Sequence, residues 1–443
     1  MPHRPESRHS EAMSNRTRST SLAAFVCLAL AEAATAAPSF QVLYHERLEL
    51  TARAGSGGQQ HLSFEAYGRR FELALEPNED IVRAVPADRD DIQPLRGTIE
   101  GQPGSWVRLT RSRGAWRGVL SDGGELYAIE PAAEVARVAV QPLAAPSGST
   151  PVMYRFADAL MPPGAASCGT LPDESGSSTS DKASARSAYE ALTSELITQS
   201  AQAPTRRLLV SVVADHQFTD AIGDDPEGAI IARMDIVDGI FSAQVGVKIA
   251  LAPLTVFRHA PEPFTATSVP VDLLAEVSRY RGRSAPLDTG VTHLMTGRSL
   301  NGTIVGIAYV GSVCNGDTAV SLSEGTLSTT ESALIAAHEL AHNFNAPHDG
   351  QPGACATTPQ TFLMAPRINF SNQFSECSLR QIATTAAVAQ CLTDIAPPPA
   401  GSFSQVVAGG GDAGAGPGGG GRLDIVLLAL LSAVLVARRA AVS

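Results

Sequence analysis

The chain is poor in several things at once. Aromatic residues make up only 5 % of it and charged residues 17 %, while 44 % is hydrophobic. So much apolar residue with so little charge excludes wholesale disorder. Basic residues are in deficit: 33 Lys and Arg stand against 44 Asp and Glu, a formal net charge of −11. That excludes a protein held on nucleic acid phosphates or anionic lipid by charge alone. Long apolar runs are confined to the two ends, which excludes a multi-span membrane protein, and the composition is not that of collagen or a coiled coil. Cysteine is scarce, with 6 in 443 residues. At roughly 100–200 residues per domain, this length gives two or three domains.

What is present begins with the ends. Arg16 and Arg18, the apolar stretch Leu22 to Leu30 and the small residues Ala34-Thr35-Ala36 form the three parts of a secretory signal, residues 1–36, cut by a signal peptidase. At the other end, ten of the 21 residues from Gly401 to Gly421 are glycine. An apolar run, Ile425 to Ala437, and then Arg438-Arg439 follow. Thirteen residues are few for a helix that needs about 20 to span a bilayer. This tail resembles the bacterial GlyGly-CTERM sorting signal. The resemblance implies a Gram-negative exporter and a rhomboid-like protease that cuts near the glycines. A permanent membrane anchor at 422–443 on a flexible tether at 396–421 is the alternative. Either way the body of the protein is expected outside the cytoplasm, at the cell surface or in the medium.

Between the ends, residues 37–160 read as short, often alternating strands such as HLSFEAYGRRFELAL and GSWVRLTRSRGAWRGVL. Gly101-Gln102-Pro103-Gly104 and Asp122-Gly123-Gly124 are hairpin-type turns, so this is an antiparallel β domain. Residues 161–204, rich in Pro, Gly, Ser and Ala, read as a linker with one helical stretch near 183–198 and the isolated Cys168. From 205 to 395 strands (208–215, 245–257, 291–297, 303–314) alternate with the helical pattern ARMDIVDGIFSAQ, which points to an α/β sheet. Ser328-Thr329-Thr330-Glu331 is a capping box that opens a helix.

That helix carries His338-Glu339-Leu340-Ala341-His342. Two His at i and i+4 lie on one face about 6 Å apart, so both imidazoles reach one metal. Glu339 adjoins them as a general base, and His348 supplies a third nitrogen. Catalytic zinc takes three protein ligands and an open position. By chance, HExxH arises in roughly one chain in a hundred of this length, and with the third His in fewer than about one in a thousand.

HELAHNFNAPHD (338–349) resembles the metzincin zinc peptidases, and Asp349 after the third His marks the adamalysin or reprolysin branch. LVSVVADHQF, RMDIVDGIFSAQ, HLMTGRSLNGTIVGIAYVGSVC and FLMAP…FSNQFSECS are similar to adamalysin segments in the same order, over about Arg206–Asp394. More weakly, GSWVRL…LYAIEP resembles the propeptide of those proteins. The resemblance implies an α/β (α+β) catalytic domain with a mixed five-stranded sheet, a zinc helix and a small lower subdomain, behind a β-rich propeptide. It implies one Zn2+ on His338, His342 and His348, and a Met-turn at Met364, 16 residues after His348. Substrate would lie along an edge strand near Thr303–Val310, with an apolar pocket on the primed side.

Two positions depart from the pattern. Asn345 stands where the motif has Gly, at a turn that favours positive φ. Leu209 and Gly290 stand where the family places calcium ligands, so no family-type Ca2+ site is expected, with Asp394 left as a weak cation ligand. Cys27 leaves with the signal. Cys314, Cys355, Cys377 and Cys391 permit three pairings, of which the resemblance favours Cys314–Cys391 and Cys355–Cys377. Cys168-Gly169 is similar to the cysteine switch of adamalysin propeptides, which implies a thiolate that silences the precursor.

These features describe a secreted zinc metalloendopeptidase made as a zymogen and acting on protein or peptide substrates, with no nucleic acid partner. One rival is a weakly active or inactive adhesion module on the same scaffold. It is disfavoured by the complete ligand set and by the absence of cysteine-rich disintegrin or EGF-like repeats. Another is a metal-dependent hydrolase of lipid or glycan.

Overall fold

Alternation in the N-terminal half builds a nine-stranded antiparallel sheet. Its strands are β1 (Glu46–Arg47), β2 (Thr51–Ala54), β3 (Gln60–Ala66), β4 (Arg69–Pro77), β5 (Gln93–Ile99), β6 (Trp106–Ser112), β7 (Ala115–Ser121), β8 (Leu126–Pro131) and β9 (Pro151–Arg155). From β2 to β9 each strand pairs with the next, and β1 closes on β9, in the order β1-β9-β8-β7-β6-β5-β4-β3-β2. The two expected turns are in place: Gly101 and Gly104 take positive φ between β5 and β6, and Gly123 does so between β7 and β8. Asp122 Oδ1 there accepts from the Gly124 and Glu125 amides. One face of the sheet encloses Leu62, Phe64, Phe71, Leu73, Leu109 and Ile129. The other face contributes Val119, Ala128 and Val152 to a core shared with the C-terminal half.

This computed structural model describes residues 40–55, 58–143, 147–161, 167–172, 204–284 and 289–395. The signal segment, the helical stretch near 183–198, the glycine tether and the C-terminal apolar run lie outside the described residues. Among the described residues no helix is long and apolar enough to cross a membrane.

The C-terminal half is a mixed sheet of β11 (Arg206–Ala214), β12 (Val247–Leu251), β13 (Val291–Thr296), β14 (Ile304–Val310) and β15 (Val320–Glu324). A sixth strand, β10 (Ser167–Pro172), comes from the segment expected to be linker, and the order is β10-β14-β15-β13-β11-β12. Short strands at Thr255–Val256 and Thr393–Asp394 also pair with β11. β13 and β14 flank the Asn301-Gly302 turn but are not neighbours, because β15 lies between them: parallel to β13 and antiparallel to β14. Helices α1 (His216–Ile222), α2 (Pro226–Gln244), α3 (Pro270–Ser284), α4 (Thr329–Asn343) and α5 (Glu376–Val388) complete this half. Both α2 and α4 are buried nearly all round, as helices in the middle of a core are. Both halves fall in one compact unit that ends at Ile395.

Candidate metal centre and its occupied cleft

Helix α4 begins where the sequence expects, with Ser328 Oγ accepting from the Glu331 amide at 3.2 Å. Its Ala333, Ala336, Ala337 and Ala341 are buried, and small side chains let sheet and helix approach closely. The helix ends in a sharp reversal. Asn345 has φ +69°. Its amide donates to His342 O at 2.8 Å, and the Ala346 amide donates to Ala341 O at 3.0 Å. This is a Schellman cap with Asn in the left-handed position that usually takes Gly. The reversal carries His348 back over the helix.

Three imidazoles then converge. His348 Nε2 is 3.1 Å from His338 Nε2 and 3.2 Å from His342 Nε2. On the far side of each ring Nδ1 meets an oxygen: Leu363 O for His338, Ala346 O for His342 and Gln351 Oε1 for His348. An oxygen acceptor places the hydrogen on Nδ1 and leaves the Nε2 lone pair facing inward. Burial lowers the pKa of all three rings, that of His338 to about 3, so they are neutral at pH 7. Three neutral nitrogens with lone pairs turned on one another form a donor set for a cation, and their acceptor partners orient them as metal ligands are oriented. The residues fit zinc.

Glu339 is fully buried beside them, and neither of its carboxylate oxygens has a hydrogen-bond partner of full geometry among the described residues. Burial pushes its pKa well above the usual carboxylate range, and the thiol of Cys168 acts in the opposite sense. Cys168 Sγ, a Glu339 oxygen and a ring nitrogen of His338 lie within 4.8 Å of one another. Burial, then the Glu339 charge, holds the thiol pKa well above its ordinary value.

Cys168 arrives on β10, which runs parallel to β14 with Cys168 opposite Gly306 and Gly169 opposite Ile307. On its other side the Cys168 amide donates to Pro366 O at 3.2 Å, and Ser167 bridges to Arg367. The strand therefore lies between the sheet edge and the segment after Met364, across the imidazoles. Gly306 has a role the sequence does not announce: a Cβ there would stand 2.5 Å from Glu339 Oε1. A glycine inside a strand does signal a close approach.

Met364 is fully buried. Its carbonyl accepts from the Asp349 amide at 2.9 Å, while that of Leu363 holds His338. Asp349 Oδ1 accepts from Ser375 and Ser378 at the start of α5. Disulfides join Cys314 to Cys391 and Cys355 to Cys377. Cys168 is free. The Gly290 amide donates to Leu209 O, and Asp394 pairs with Arg206 at 3.0 Å.

Residues 204–377 match a family model, Reprolysin_5, described as metallo-peptidase family M12. Over 90 residues, 20 % of the chain, it is 39 % identical to the zinc metalloproteinase-disintegrin-like atragin of Naja atra, 14 % of which is covered. Over 278 residues, 56 % of the chain, it is 27 % identical to disintegrin and metalloproteinase domain-containing protein 11 of Homo sapiens, 34 % of which is covered. The matches thus span about a third or less of these relatives' length. Among solved structures, metalloproteinase-II from Bacteroides fragilis aligns with 73 % of this chain and 90 % of its own, at 11 % identity and a TM-score of 0.46. The family model and the two relatives support a metallopeptidase domain of the M12 type, with the triple-His group as its zinc-binding set.

Proposed function

We propose that the chain is an exported zinc metalloendopeptidase made as a latent precursor, with β10 as its latch. The observation that carries this reading is the convergence of three inward-facing Nε2 atoms beside a buried, unmatched carboxylate. His338, His342 and His348 would hold zinc with one position left open. Zinc there supplies Lewis-acid polarisation of a peptide carbonyl and lowers the pKa of water. Glu339, made more basic by burial, takes the proton of the attacking water and returns it to the leaving amine. Gly306 leaves that carboxylate its place against β14. Once β10 departs, β14 offers an open edge to which an extended peptide adds as a strand. While β10 remains, it takes that edge, and Cys168 sets a thiol, a strong zinc ligand once deprotonated, beside His338 and Glu339. Export rests on the two terminal segments, with a signal peptidase and a rhomboid-like sorting protease as processing partners.

The test is the full-length Cys168→Ala precursor offered a peptide library. It should cleave where the parent is silent, lose cleavage on zinc chelation and regain it with added zinc. Cleavage undiminished by exhaustive chelation removes the metallopeptidase reading. A variant that folds, holds zinc and stays as silent as the parent removes the latch.

A further inference from the structure

A second large cluster of buried polar groups lies away from the imidazoles, along α2. Strand β6 turns alternate residues to opposite sides, as a strand must. Val107 and Leu109 enter the N-terminal core, while Arg108 and Thr110 face α2. Arg108 Nε donates to Asp238 Oδ2 at 2.9 Å, and Thr110 Oγ1 to Asp235 Oδ2 at 3.2 Å. Asn78 Nδ2 reaches both carboxylates, at 2.8 and 3.0 Å. The fit is close as well as polar. A Cβ on Gly239 would stand 2.5 Å from the Trp106 ring, and one on Gly228 would strike Ser112 Oγ.

The same two halves meet at other places too, among them Arg89, which pairs with Asp225 at 2.6 Å and Glu227 at 3.2 Å. Asp80 forms an ion pair with Arg207 at 2.7 Å and accepts from Lys248 Nζ at 3.1 Å. At the start of α4, Glu130 accepts from the Thr330 amide at 2.7 Å and Glu134 from Thr329 Oγ1 at 2.9 Å. The Phe40 and Phe156 rings lie on Phe370, with centroids 4.3 and 5.8 Å away. None of these contacts uses residues 173–203, which join the halves covalently. A buried carboxylate stripped of its partner is costly, and here Arg108, Asn78 and Thr110, which pair with Asp235 and Asp238, come from the other half, on a surface continuous with a shared apolar core.

We infer that residues 40–161 are a permanent noncovalent subunit of residues 204–395, so that a cut within 173–203 leaves both fragments in one particle with β10 still in the cleft. Opening the cleft then needs removal of that strand and not departure of the β domain. The inference concerns association and holds whatever reaction the metal centre performs.

The experiment places a site-specific protease sequence within residues 182–200 of the full-length chain and cuts it to completion under native conditions. Gel filtration and native mass spectrometry should show both fragments in one particle at equal amounts, separating only in denaturant. Amide exchange along α2 should be as slow after the cut as before it. Arg108→Ala in the same chain should speed fragment dissociation by about 30-fold or more. Separation of the parent fragments in native buffer, or loss of α2 protection on cutting, overturns the inference. So does a cut Arg108→Ala protein that holds together as tightly as the parent.

Discussion

Two helices of this protein carry buried charge and polarity, and they treat it in opposite ways. Along α2, Asp235 and Asp238 are each 1 % exposed, and both have partners: Asn78, Thr110, Arg108, Ser242 and the Ile249 amide. Along the second half of α4, His338, Glu339 and His342 are fully buried, yet the Nε2 atoms meet only the Nε2 of His348, and neither Glu339 oxygen has a hydrogen-bond partner of full geometry among the described residues. Burial alone therefore does not distinguish a reactive site from a structural one. Pairing does: the carboxylates of Asp235 and Asp238 are satisfied within the fold, and that of Glu339 is not.

Substitutions should separate the two cases by what they harm. In a Cys168→Ala background, Glu339→Gln should lower peptide turnover by about 10²–10⁴-fold and leave zinc content and unfolding midpoint near the parent's. An unchanged rate would show that Glu339 is not the base. Arg108→Ala should do the reverse. It leaves Asp238 buried without its charge partner, which costs about 3–5 kcal/mol of stability, read as an earlier denaturation midpoint. A stability loss below about 1 kcal/mol would mean that the α2 pairing is loose.

The third effect is smaller and concerns pH. Burial, helped by the charge of Asp238 on its own helix, raises the pKa of Asp235 from 3.8 to about 7, against Arg108, Asn78 and Thr110 across the interface. A carboxyl whose folded pKa is raised contributes stability that is complete below its unfolded value and lost as pH rises through the folded one. The buried imidazoles act with the opposite sign: held neutral, with His293 and His338 near 3, they favour the folded state as pH rises towards 6.5. The difference between parent and Asp235→Asn cancels them. That difference should be level below about pH 4, move in favour of the variant as pH rises from about 4 to 7, and level off above. A pH-independent difference would show that Asp235 titrates alike in the folded and unfolded chain.

The same contrast explains what could be read from the chain alone. The helix of His338 and His342 is legible because helix periodicity, the Ser328 cap and the i, i+4 spacing are all local. The alternating strands of the N-terminal sheet are legible for the same reason. The strand Val320–Glu324 is five residues long, and its insertion between β13 and β14 follows from long-range pairing that no local pattern records. The orienting oxygens of Leu363 and Ala346 are backbone atoms, invisible to any motif of side chains. Nor does WVRLTRS reveal that Arg108, Thr110 and Ser112 are buried: alternation looks alike whether the polar side meets water or α2. Cys168 stands out as an odd cysteine, but its place opposite Gly306 is set by a pairing 138 residues away.

The most direct test of the account is zinc stoichiometry in the full-length chain, which needs no activation and no substrate. The purified parent and Glu339→Gln should each carry about one zinc per chain, the open-sited three-ligand case, and His342→Ala, folded by its unfolding profile, should carry far less at the same free zinc concentration. A parent without zinc, or a folded His342→Ala that binds it as tightly as the parent, would contradict the assignment of the three imidazoles as a metal centre.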